Sequence, residues 1–391
     1  MRVRRCAVVQ FESQEAVEFD LGGLLSGGNG ARRRMKWMAH AAHLDAPVEV
    51  DAVVCECMGS LSPDQWVTDD VLGEWPQGML EFLLACGLVV AEHGTDNASV
   101  RDLQLRSMYW WPAAAILYRS SRWAGVDAAA ATQEAGLSTA IGLRNVLGPP
   151  PEAVSARYDA GVRQPLRRNE DGDFDAMLKR RTTCRNFNRS IPLPQALLSR
   201  MLERVFAAHG QWQADEETVF LKKSSPSGGG LHPTEAYLIV RDVDGLDDGL
   251  YHYHPIDHAV VRIAVQHETL DELAKRAVAG QHWFSEAHVL VVMATRFRRC
   301  FWKYRHHPKA YRAVTMDAGH LSQTLYLAAT DLGLGAFVTC AINEVDIEQA
   351  FGLDPLEEGV MAVGGFGWRG GDMCNAEFDP NGRVWPEQMA Q

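Results

Sequence analysis

The spacing of apolar residues predicts one well-defined core helix in the second half of the chain. Its apolar positions recur at intervals of three and four residues, so they share one helical face: Leu321, Leu325, Ala328, Ala329 and Leu332. Gly333 and Gly335 end the pattern, as glycines commonly do after the last turn of a helix. We expect this helix to be buried, and the segments around it to supply the functional site.

The first 150 residues show weaker and shorter patterns. Glu49–Cys57 is an apolar run that predicts a strand, Trp75–Cys86 has helical periodicity, and Leu88–Ala91 predicts a short strand. A further helix is predicted over Tyr109–Arg122. This order is compatible with a small winged-helix unit that serves either as a scaffold covering a dimer or as a dock for a peptide.

A proline-rich stretch with mixed charges, Gly148–Asp173, separates this region from the second half of the chain. The sequence therefore predicts an N-terminal accessory domain over residues 1–150, a linker over 151–173 and a second domain over 174–391. A chain of 391 residues is long enough for two such cores.

Composition and charge narrow the functional classes. The formal net charge of −12 argues against general nucleic-acid binding, and no apolar run is long enough to cross a bilayer. The first residues turn acidic before a signal-peptide core develops, which predicts a cytoplasmic protein. The eight cysteines are scattered, and the Cys55 and Cys57 pair lacks zinc-knuckle spacing, so we expect mostly buried thiols and no metal site.

One segment reverses the local charge. Between Arg296 and Arg312 the chain has seven Lys and Arg residues, two His and no Asp or Glu. Aromatic residues are interspersed among them: Phe301, Trp302, Tyr304 and Tyr311. We interpret this segment as a basic loop leading into the core helix.

Two motifs indicate a ligand site. In KRRTTCRNF, Lys179–Phe187, arginines alternate with hydroxyl residues, a combination that can donate several hydrogen bonds to a phosphate, although a solvated basic face has the same composition. In SSPSGGG, Ser224–Gly230, three glycines let the backbone lie against a flat ligand. No lysine follows these glycines, so the motif is neither a P-loop nor a dinucleotide fingerprint.

Taken in order, these motifs carry a family resemblance. KRRTTCRNF, SPSGGGLHPTEAYLIV, DAGHLSQTLYLAATDLGLGA and VMAVGGFGW resemble the ordered motifs of the flavin-dependent nitroreductase fold over about residues 174–370. More narrowly, SPSGGGLHP with LYHYHP and KYRHHPKAYRAVTMDAGH resembles the SagB-type dehydrogenases, which oxidise azoline rings to azoles in ribosomally made peptides. The resemblance implies an α+β fold with a mixed central sheet flanked by helices, bound FMN and a homodimer.

The resemblance also implies site residues. It places Arg181, Thr183 and Arg185 at the FMN phosphate and ribityl chain, where the family more often has Ser than Thr. Along the isoalloxazine edge it places four residues of the glycine-rich loop: Ser225, Ser227, Gly228 and Gly229. Gly364 and Gly365 would close the phosphate end, and backbone within 341–344 would lie near flavin N5.

For catalysis the resemblance implies Lys303 and Tyr304 as the proton-accepting pair, because a cation beside a phenol favours phenolate. The alternative is that both belong to a solvated basic loop. The expected function is FMN-dependent azoline oxidation of a precursor peptide, with a cyclodehydratase complex as a further partner. Two alternatives remain open: an NAD(P)H-dependent reductase of nitro, quinone or dehydroamino-acid substrates, and a flavoprotein scaffold without turnover.

Overall fold

The computed structural model describes residues 1–155, 157, 160–264 and 269–386. The strands in this part of the chain are β1 (Arg2–Arg5), β2 (Val9–Phe19), β3 (Ala31–Ala41), β4 (Val48–Val50), β5 (Val67–Thr68), β6 (Val89–Ala91), β7 (Leu193–Pro194), β8 (Gly210–Gln213), β9 (Val219–Lys222), β10 (Thr234–Val240), β11 (Val243–Asp244), β12 (Gly249–His254), β13 (Ala259–Ile263), β14 (Val289–Arg296), β15 (Gly335–Thr339) and β16 (Glu358–Gly367).

The α-helices are α1 (Leu21–Leu25), α2 (Ala52–Ser60), α3 (Met79–Ala85), α4 (Asn97–Ser107), α5 (Pro112–Ser120), α6 (Ala128–Glu134), α7 (Ala140–Leu147), α8 (Asp173–Arg180), α9 (Gln195–Val205), α10 (Leu270–Ala277), α11 (His282–Ser285), α12 (Phe297–Phe301), α13 (Ala310–Asp331) and α14 (Glu344–Phe351). Short 3-10 helices cover Asp69–Leu72, Ala160–Val162 and Gly228–Gly230.

The chain forms two compact units, and neither is continuous in sequence. The first consists of Met1–Arg122 and Phe297–Ala313, and the second of Trp123–Arg296 and the residues from Val314 onward. This division differs from the predicted domain ranges 1–150, 151–173 and 174–391 at two places, since 123–150 joins the second unit and 297–313 joins the first.

The first unit is built from two small antiparallel sheets, of strand order β5-β1-β6 and β2-β3-β4, together with helices α1 to α5. The predicted helices over 75–86 and 109–122 are confirmed by α3 and α5, and the predicted strand over 88–91 by β6. The predicted strand Glu49–Cys57 is confirmed at residues 49 and 50, which lie in β4, and is wrong from residue 52 onward. Asp51 accepts a hydrogen bond from the Val54 N–H at 2.9 Å and so caps a helix that begins at Ala52.

The sequence patterns did not reveal the long β2–β3 hairpin. Its strands pair from Val9 with Ala41 to Phe19 with Ala31, and opposite charges lie across them. Arg33 pairs with Glu15 at 2.8 Å, and Arg34 forms an ion pair with Glu18. Charged residues on neighbouring positions hide the apolar alternation that identifies a half-buried strand.

An aromatic cluster explains why the basic segment belongs to the first unit. The Trp110 ring lies 4.5 Å from the Phe297 ring and 4.7 Å from the Phe301 ring, measured between centroids. Tyr118 lies 5.0 Å from Phe297. Helix α12 buries Phe297 and Phe301, so residues 297–301 are not the loop that we predicted. Residues 302–309 do form turns, and Trp302 among them is 46% exposed.

A six-stranded sheet of order β13-β12-β10-β14-β16-β15 forms the centre of the second unit. The apolar residues of β10 and β14 alternate between two cores. On one face Leu238 and Val291 pack with helices α9 and α13, and on the other Ile239 and Leu290 pack with α10 and α14. The α+β fold is confirmed.

The pairs between the named strands of this sheet are antiparallel. Parallel pairing, which the predicted mixed sheet requires, is present at its β15 edge as a single bridge between Thr183 and Ala336. The predicted core helix lies within α13, where Leu325 is 1% exposed and Ala329 fully buried. Gly333, at a φ of 73°, follows the helix end.

Residues 123–126 attach to the second unit through the start of α14. The Trp123 N–H donates to Glu344 Oε2 at 2.9 Å, and the Val126 N–H donates to Asn343 Oδ1 at the same distance. Asn343 is 1% exposed, and its amide donates back to the Val126 carbonyl at 2.9 Å. These bonds account for the placement of 123–150 outside the first unit.

Candidate functional site

The glycine-rich loop is attached to helix α13 by one buried carboxylate. Asp317, which is 5% exposed, accepts a hydrogen bond of 2.6 Å from the Ser227 hydroxyl and one of 3.0 Å from the Gly228 N–H. The His232 N–H donates to Ser227 Oγ at 2.9 Å. The Ser227 hydroxyl and the Gly228 N–H are therefore used to shape the loop, rather than being free to bind a ligand as we expected.

Burial raises the pKa of Asp317, while its bonds to Ser227 and Gly228 act in the opposite direction. Ser225 is also buried, and its hydroxyl lies 2.7 Å from Thr324 Oγ1. Thr324 in turn donates to the His320 carbonyl at 2.8 Å. Helix α13 thus holds the loop at two points about two turns apart.

Two glycines of the loop have left-handed backbone. Gly229 has a φ of 67° and Gly230 a φ of 70°, values that residues with a Cβ rarely adopt. An added Cβ on Gly230 would be 3.9 Å from its nearest neighbour, so backbone conformation and not crowding requires glycine there. The predicted use of these glycines, a backbone that lies against a flat ligand, stays a prediction with which their φ values are compatible.

A small cavity lies against the loop. Its lining combines hydroxyl, carboxylate and ammonium groups: Lys223, Ser225, Pro226, Ser227, His232, Thr234, Asp317 and Leu321. Lys223 is 5% exposed, and burial lowers the pKa of its ammonium, an effect that the nearby Glu235 opposes. Lys223 was not among the predicted site residues.

The arginine motif forms an extended segment with two distinct sides. Residues 182, 184 and 186 are buried, whereas Arg181, Thr183 and Arg185 are partly exposed on the other side. The Cys184 N–H donates to the Ala336 carbonyl at 2.8 Å, which attaches the segment beside β15. The three residues predicted to contact phosphate therefore share one face.

Helix α13 also contacts this motif. The Tyr326 hydroxyl accepts a hydrogen bond from the Val338 N–H at 3.0 Å and lies 3.1 Å from Thr183 Oγ1. The Arg181 guanidinium lies over the Tyr326 ring, 5.3 Å from its centroid. Asp317 and Tyr326 are roughly 14 Å apart along the helix axis, so a ligand that touches both motifs must be elongated.

A second buried carboxylate, Glu377, holds the arginine motif. It accepts hydrogen bonds from the Arg185 N–H at 2.6 Å, from the Asn186 N–H at 3.1 Å and from the Trp385 indole at 2.9 Å, and it forms an ion pair with Arg369. Burial alone would raise the pKa of Glu377, but these donors and the Arg369 charge lower it. We did not predict this residue, because nothing near it in sequence signals a contact with residues 185 and 186.

Gly364 and Gly365 have a different place from the one expected. Both are buried in β16, where an added Cβ would be 2.7 Å from Leu325 and 2.4 Å from Phe337, respectively. Packing between the sheet and its two cores explains the glycines, and we leave both residues out of the site proposed below. The 341–344 backbone follows β15, and the Ala341 carbonyl accepts a hydrogen bond of 2.8 Å from Gln281.

The predicted proton-accepting pair belongs to the first unit, whereas both ligand motifs belong to the second. The Lys303 ammonium lies 5.6 Å from the centroid of the Tyr304 ring, and the Tyr304 N–H donates to the Cys300 carbonyl at 3.2 Å. Lys303 is exposed and Tyr304 partly so. The pair is accessible, and its catalytic role stays a prediction.

Among the residues that the structure describes, no cluster of three or more His, Cys, Asp or Glu side chains has a geometry that could hold a metal ion. None of their helices combines the length and the apolar character needed to span a membrane. All eight cysteines are free, and Cys340 and Cys374 are exposed.

Comparisons with known proteins identify the region that contains both motifs. The nitroreductase family profile matches residues 178–368. MJ1384 of Methanocaldococcus jannaschii, which carries a nitroreductase name, is 35% identical over 190 residues, or 49% of this chain and 89% of that protein.

Two further relatives are named for the processing of peptides. The trifolitoxin-processing protein TfxB of Rhizobium leguminosarum bv. trifolii is 33% identical over 145 residues, which cover 37% of this chain and 39% of TfxB. The microcin B17-processing protein McbC of Escherichia coli is 25% identical over 160 residues, which cover 39% of this chain and 57% of McbC. The match thus spans less than two thirds of either relative.

Among solved structures, the E. coli microcin synthetase McbBCD complex with truncated pro-MccB17 bound contains a similar chain, with a TM-score of 0.45 and 19% identity over 71% of this chain and 98% of that one. The family resemblance predicted from the motifs is confirmed by the profile and by the similarity to MJ1384. This chain belongs to the nitroreductase family.

Proposed function

We propose that this chain is an FMN-dependent dehydrogenase that oxidises azoline rings to azoles in a ribosomally made peptide. The observation that carries the proposal is the similarity of the region containing both motifs to TfxB and McbC, which are named as peptide-processing proteins. Family membership supports an oxidoreductase that binds flavin. We further propose that the oxidised substrate is an azoline ring and that the flavin is FMN.

The residues present suit a flavin. Arg181 and Arg185 project from one face of an extended segment and have few protein contacts, as a phosphate site requires. The glycine-rich loop is fixed in position by Asp317, and Lys223 adds a buried cation beside it. A flavin bound along α13 would supply the acceptor for the hydride that leaves the azoline ring.

The protein itself must take the accompanying proton. Aromatisation of an azoline removes two hydrogens, one as hydride and one as a proton from the carbon next to the carbonyl. We propose Tyr304 as the group that accepts this proton, with the Lys303 ammonium favouring the phenolate form. Tyr304→Phe keeps the ring but removes the accepting oxygen, so turnover should collapse while FMN and peptide still bind.

The proposed partners are a modified precursor peptide, a cyclodehydratase complex and a second copy of the chain in a cytoplasmic homodimer. We propose that the first unit captures the peptide, since its sheets have edge strands to which a peptide strand can add. Deleting residues 1–150 is not a clean test of this role. The deletion would remove Trp110 and Tyr118, against which Phe297 and Phe301 pack.

The test uses the full-length protein, an azoline-bearing peptide and oxygen. The expected product is lighter by about two mass units, and under anaerobic conditions the peptide alone should bleach the flavin absorbance. Tyr304→Phe should bind FMN and bleach far more slowly. A wild-type protein that holds flavin but leaves the peptide unchanged would overturn azoline oxidation.

A second function, NAD(P)H-dependent reduction of nitro, quinone or dehydroamino-acid substrates, is favoured by the 35% identity to MJ1384. Rapid bleaching of the flavin by NADPH, without bleaching by the peptide, would identify it. A flavoprotein that is reduced by neither would instead be a scaffold of the peptide-modifying complex.

A further inference from the structure

We infer that the pocket between helix α6 and residues 280–283 binds the ring-bearing segment of the peptide substrate. This inference rests on the function proposed above and adds a substrate site that lies outside both ligand motifs. The pocket has a volume of about 710 Å³. Sites for small organic ligands typically measure about 300 to 1,000 Å³, so a heterocycle and its neighbouring peptide groups fit this space.

Backbone contacts join the two walls of the pocket. The N–H groups of Ala128 and Ala129 donate to the Ala279 carbonyl at 2.9 and 3.4 Å, which docks the start of α6. Gly280, at a φ of 75°, packs so closely against Asp127 that an added Cβ would lie 2.1 Å from Asp127 Oδ1. The walls are therefore fixed to each other at one end, and the pocket is preformed.

The two walls differ in chemistry. The α6 side includes three consecutive alanines, 128–130, and Thr132, whose small side chains leave the space open. On the other side His282 and Trp283 form an edge-on pair, with ring centroids 4.8 Å apart. The Trp283 Nε1 atom is buried, and none of the described residues accepts a hydrogen bond from it. A buried indole N–H without an acceptor is costly, which indicates that a ligand supplies one.

The charges at the pocket favour a neutral ligand over a dinucleotide. Among the described residues that line it, Lys275 is the one Lys or Arg and Asp127 the one carboxylate. A single exposed ammonium is a poor match for a diphosphate, which binds best to several cations and N–H groups. A thiazole or oxazole ring flanked by amides is flat, neutral and rich in acceptors. It can pack against both aromatic rings and accept the Trp283 N–H.

The position of the pocket suits a substrate of the proposed flavin enzyme. Ala341, which follows β15, lines the pocket, and its carbonyl accepts a hydrogen bond of 2.8 Å from Gln281. The arginine motif lies beside the same strand, and the Arg185 guanidinium lies 5.8 Å from the ring centroid of Phe284, the residue after Trp283. The pocket thus adjoins the proposed flavin site, as a substrate pocket must.

The experiment measures how a labelled synthetic pentapeptide with a central thiazole ring binds to the full-length, flavin-loaded protein, by fluorescence anisotropy. Trp283→Phe keeps an aromatic ring and removes the N–H, so the affinity should fall about fivefold. Ala129→Leu fills the pocket and should lower the affinity about tenfold or more. A pentapeptide with cysteine in place of the thiazole should bind the wild type about fivefold more weakly, because it lacks the flat ring.

Two matched controls lie outside the pocket. Ala131→Leu makes the same change at an exposed position of α6 that does not line the pocket, and Trp212→Phe removes an exposed indole elsewhere in the second unit. Both controls should bind the thiazole peptide like the wild type. Flavin content and thermal unfolding of each variant verify that it is folded and loaded.

The inference is overturned if the wild type does not bind the thiazole peptide, or if both pocket variants bind it like the wild type. Equal weakening by Ala131→Leu would attribute the effect to α6 as a whole, and equal affinity for the thiazole and cysteine peptides would show that the ring is not recognised. Loss of flavin from both folded pocket variants would assign the pocket to the cofactor. Peptide binding that weakens as expected, in a protein that oxidises no azoline, would support this site and refute the proposed function.

Discussion

The glycine-rich loop and the arginine motif are each held by one buried carboxylate from a distant part of the chain. The surroundings of these two carboxylates shift their pKa values in opposite directions. Glu377 accepts backbone and indole N–H groups and is paired with the Arg369 cation, so its pKa is lowered despite burial. Asp317 accepts a hydroxyl and one N–H, and burial raises its pKa. The surroundings of Glu377 therefore favour its charged form, whereas burial disfavours the charged form of Asp317.

This difference indicates how each motif would fail. The arginine motif is held by a charge network, so removing the carboxylate leaves Arg369 and several donors without a partner. The loop is held by two hydrogen bonds, which a neutral acceptor can partly replace. We therefore expect changes at Glu377 to affect stability most and changes at Asp317 to have smaller effects.

The largest effect is expected for Glu377→Gln. Glu377 has a side chain with 0% exposure and contacts Arg369, so the substitution breaks a buried ion pair and should lower the free energy of unfolding by about 3 to 5 kcal/mol. Urea unfolding measures this. Asp372→Asn removes an exposed carboxylate of the same C-terminal segment and should change stability by less than about 0.5 kcal/mol. Equal losses in both variants would contradict the anchoring role.

The next effect concerns the ligand and not the fold. The combined Arg181→Ala and Arg185→Ala change removes two cations whose side chains have few protein contacts, while the Arg185 N–H to Glu377 bond stays. FMN affinity should fall at least tenfold, about 1.4 kcal/mol, because charge-assisted bonds to phosphate are lost. Fluorescence titration measures it.

The matched control for that variant is Arg167→Ala with Arg168→Ala, which removes the same charge from an exposed stretch. If the control loses as much affinity, general electrostatic attraction and not a phosphate site explains the result. Full flavin retention in the Arg181 and Arg185 variant would show that the phosphate assignment is wrong.

The features that could be predicted from the sequence are those with a local signal. The Leu321 to Leu332 spacing predicted the core part of α13, and the arginines and hydroxyl residues that alternate in KRRTTCRNF indicated a ligand site, in which the family resemblance then selected Arg181, Thr183 and Arg185. Both are properties of neighbouring residues, set by helical and extended periodicity. The ordered motifs then led to the correct family.

The features that were missed depend on long-range contacts or on competing local signals. Asp317 and Ser227 are 90 positions apart in sequence, and Glu377 and Arg185 are 192 apart, so no window along the chain shows either anchor. The predicted strand over 49–57 failed from residue 52 onward because Asp51 caps a helix within that apolar run, and a short apolar run does not by itself distinguish a strand from a helix. The burial of Lys223 is visible only once the sheet has formed.

A smaller loss of stability is expected for Asp317→Asn. The amide oxygen can still accept one of the two bonds from Ser227 and Gly228, but its NH₂ group would face a donor, so we expect a loss of about 1 to 3 kcal/mol. Flavin affinity should fall as the loop loosens. Asp331→Asn is the control on the same helix, since its pair with Arg204 is largely exposed and worth about 1 kcal/mol or less. Unfolding curves that do not separate the two variants would contradict the anchoring of the loop by Asp317.

The smallest effect, and the one that separates the two anchors most directly, is the pH dependence of stability. The pKa of Asp317 is raised from its ordinary value of 3.8, so the folded state holds this proton to a higher pH, and the contribution of Asp317 to stability falls as pH rises above about 4. The pKa of Glu377 is lowered from 4.5, so its contribution to stability is present above that pH and is lost as pH falls through the folded-state pKa.

The test measures the free energy of unfolding of the wild type, Asp317→Asn and Glu377→Gln from pH 3 to pH 8. The difference between wild type and Asp317→Asn should shrink as pH rises, and the difference between wild type and Glu377→Gln should shrink as pH falls. Difference curves whose slopes against pH have the same sign would show that the two carboxylates do not have the opposite electrostatic surroundings described here.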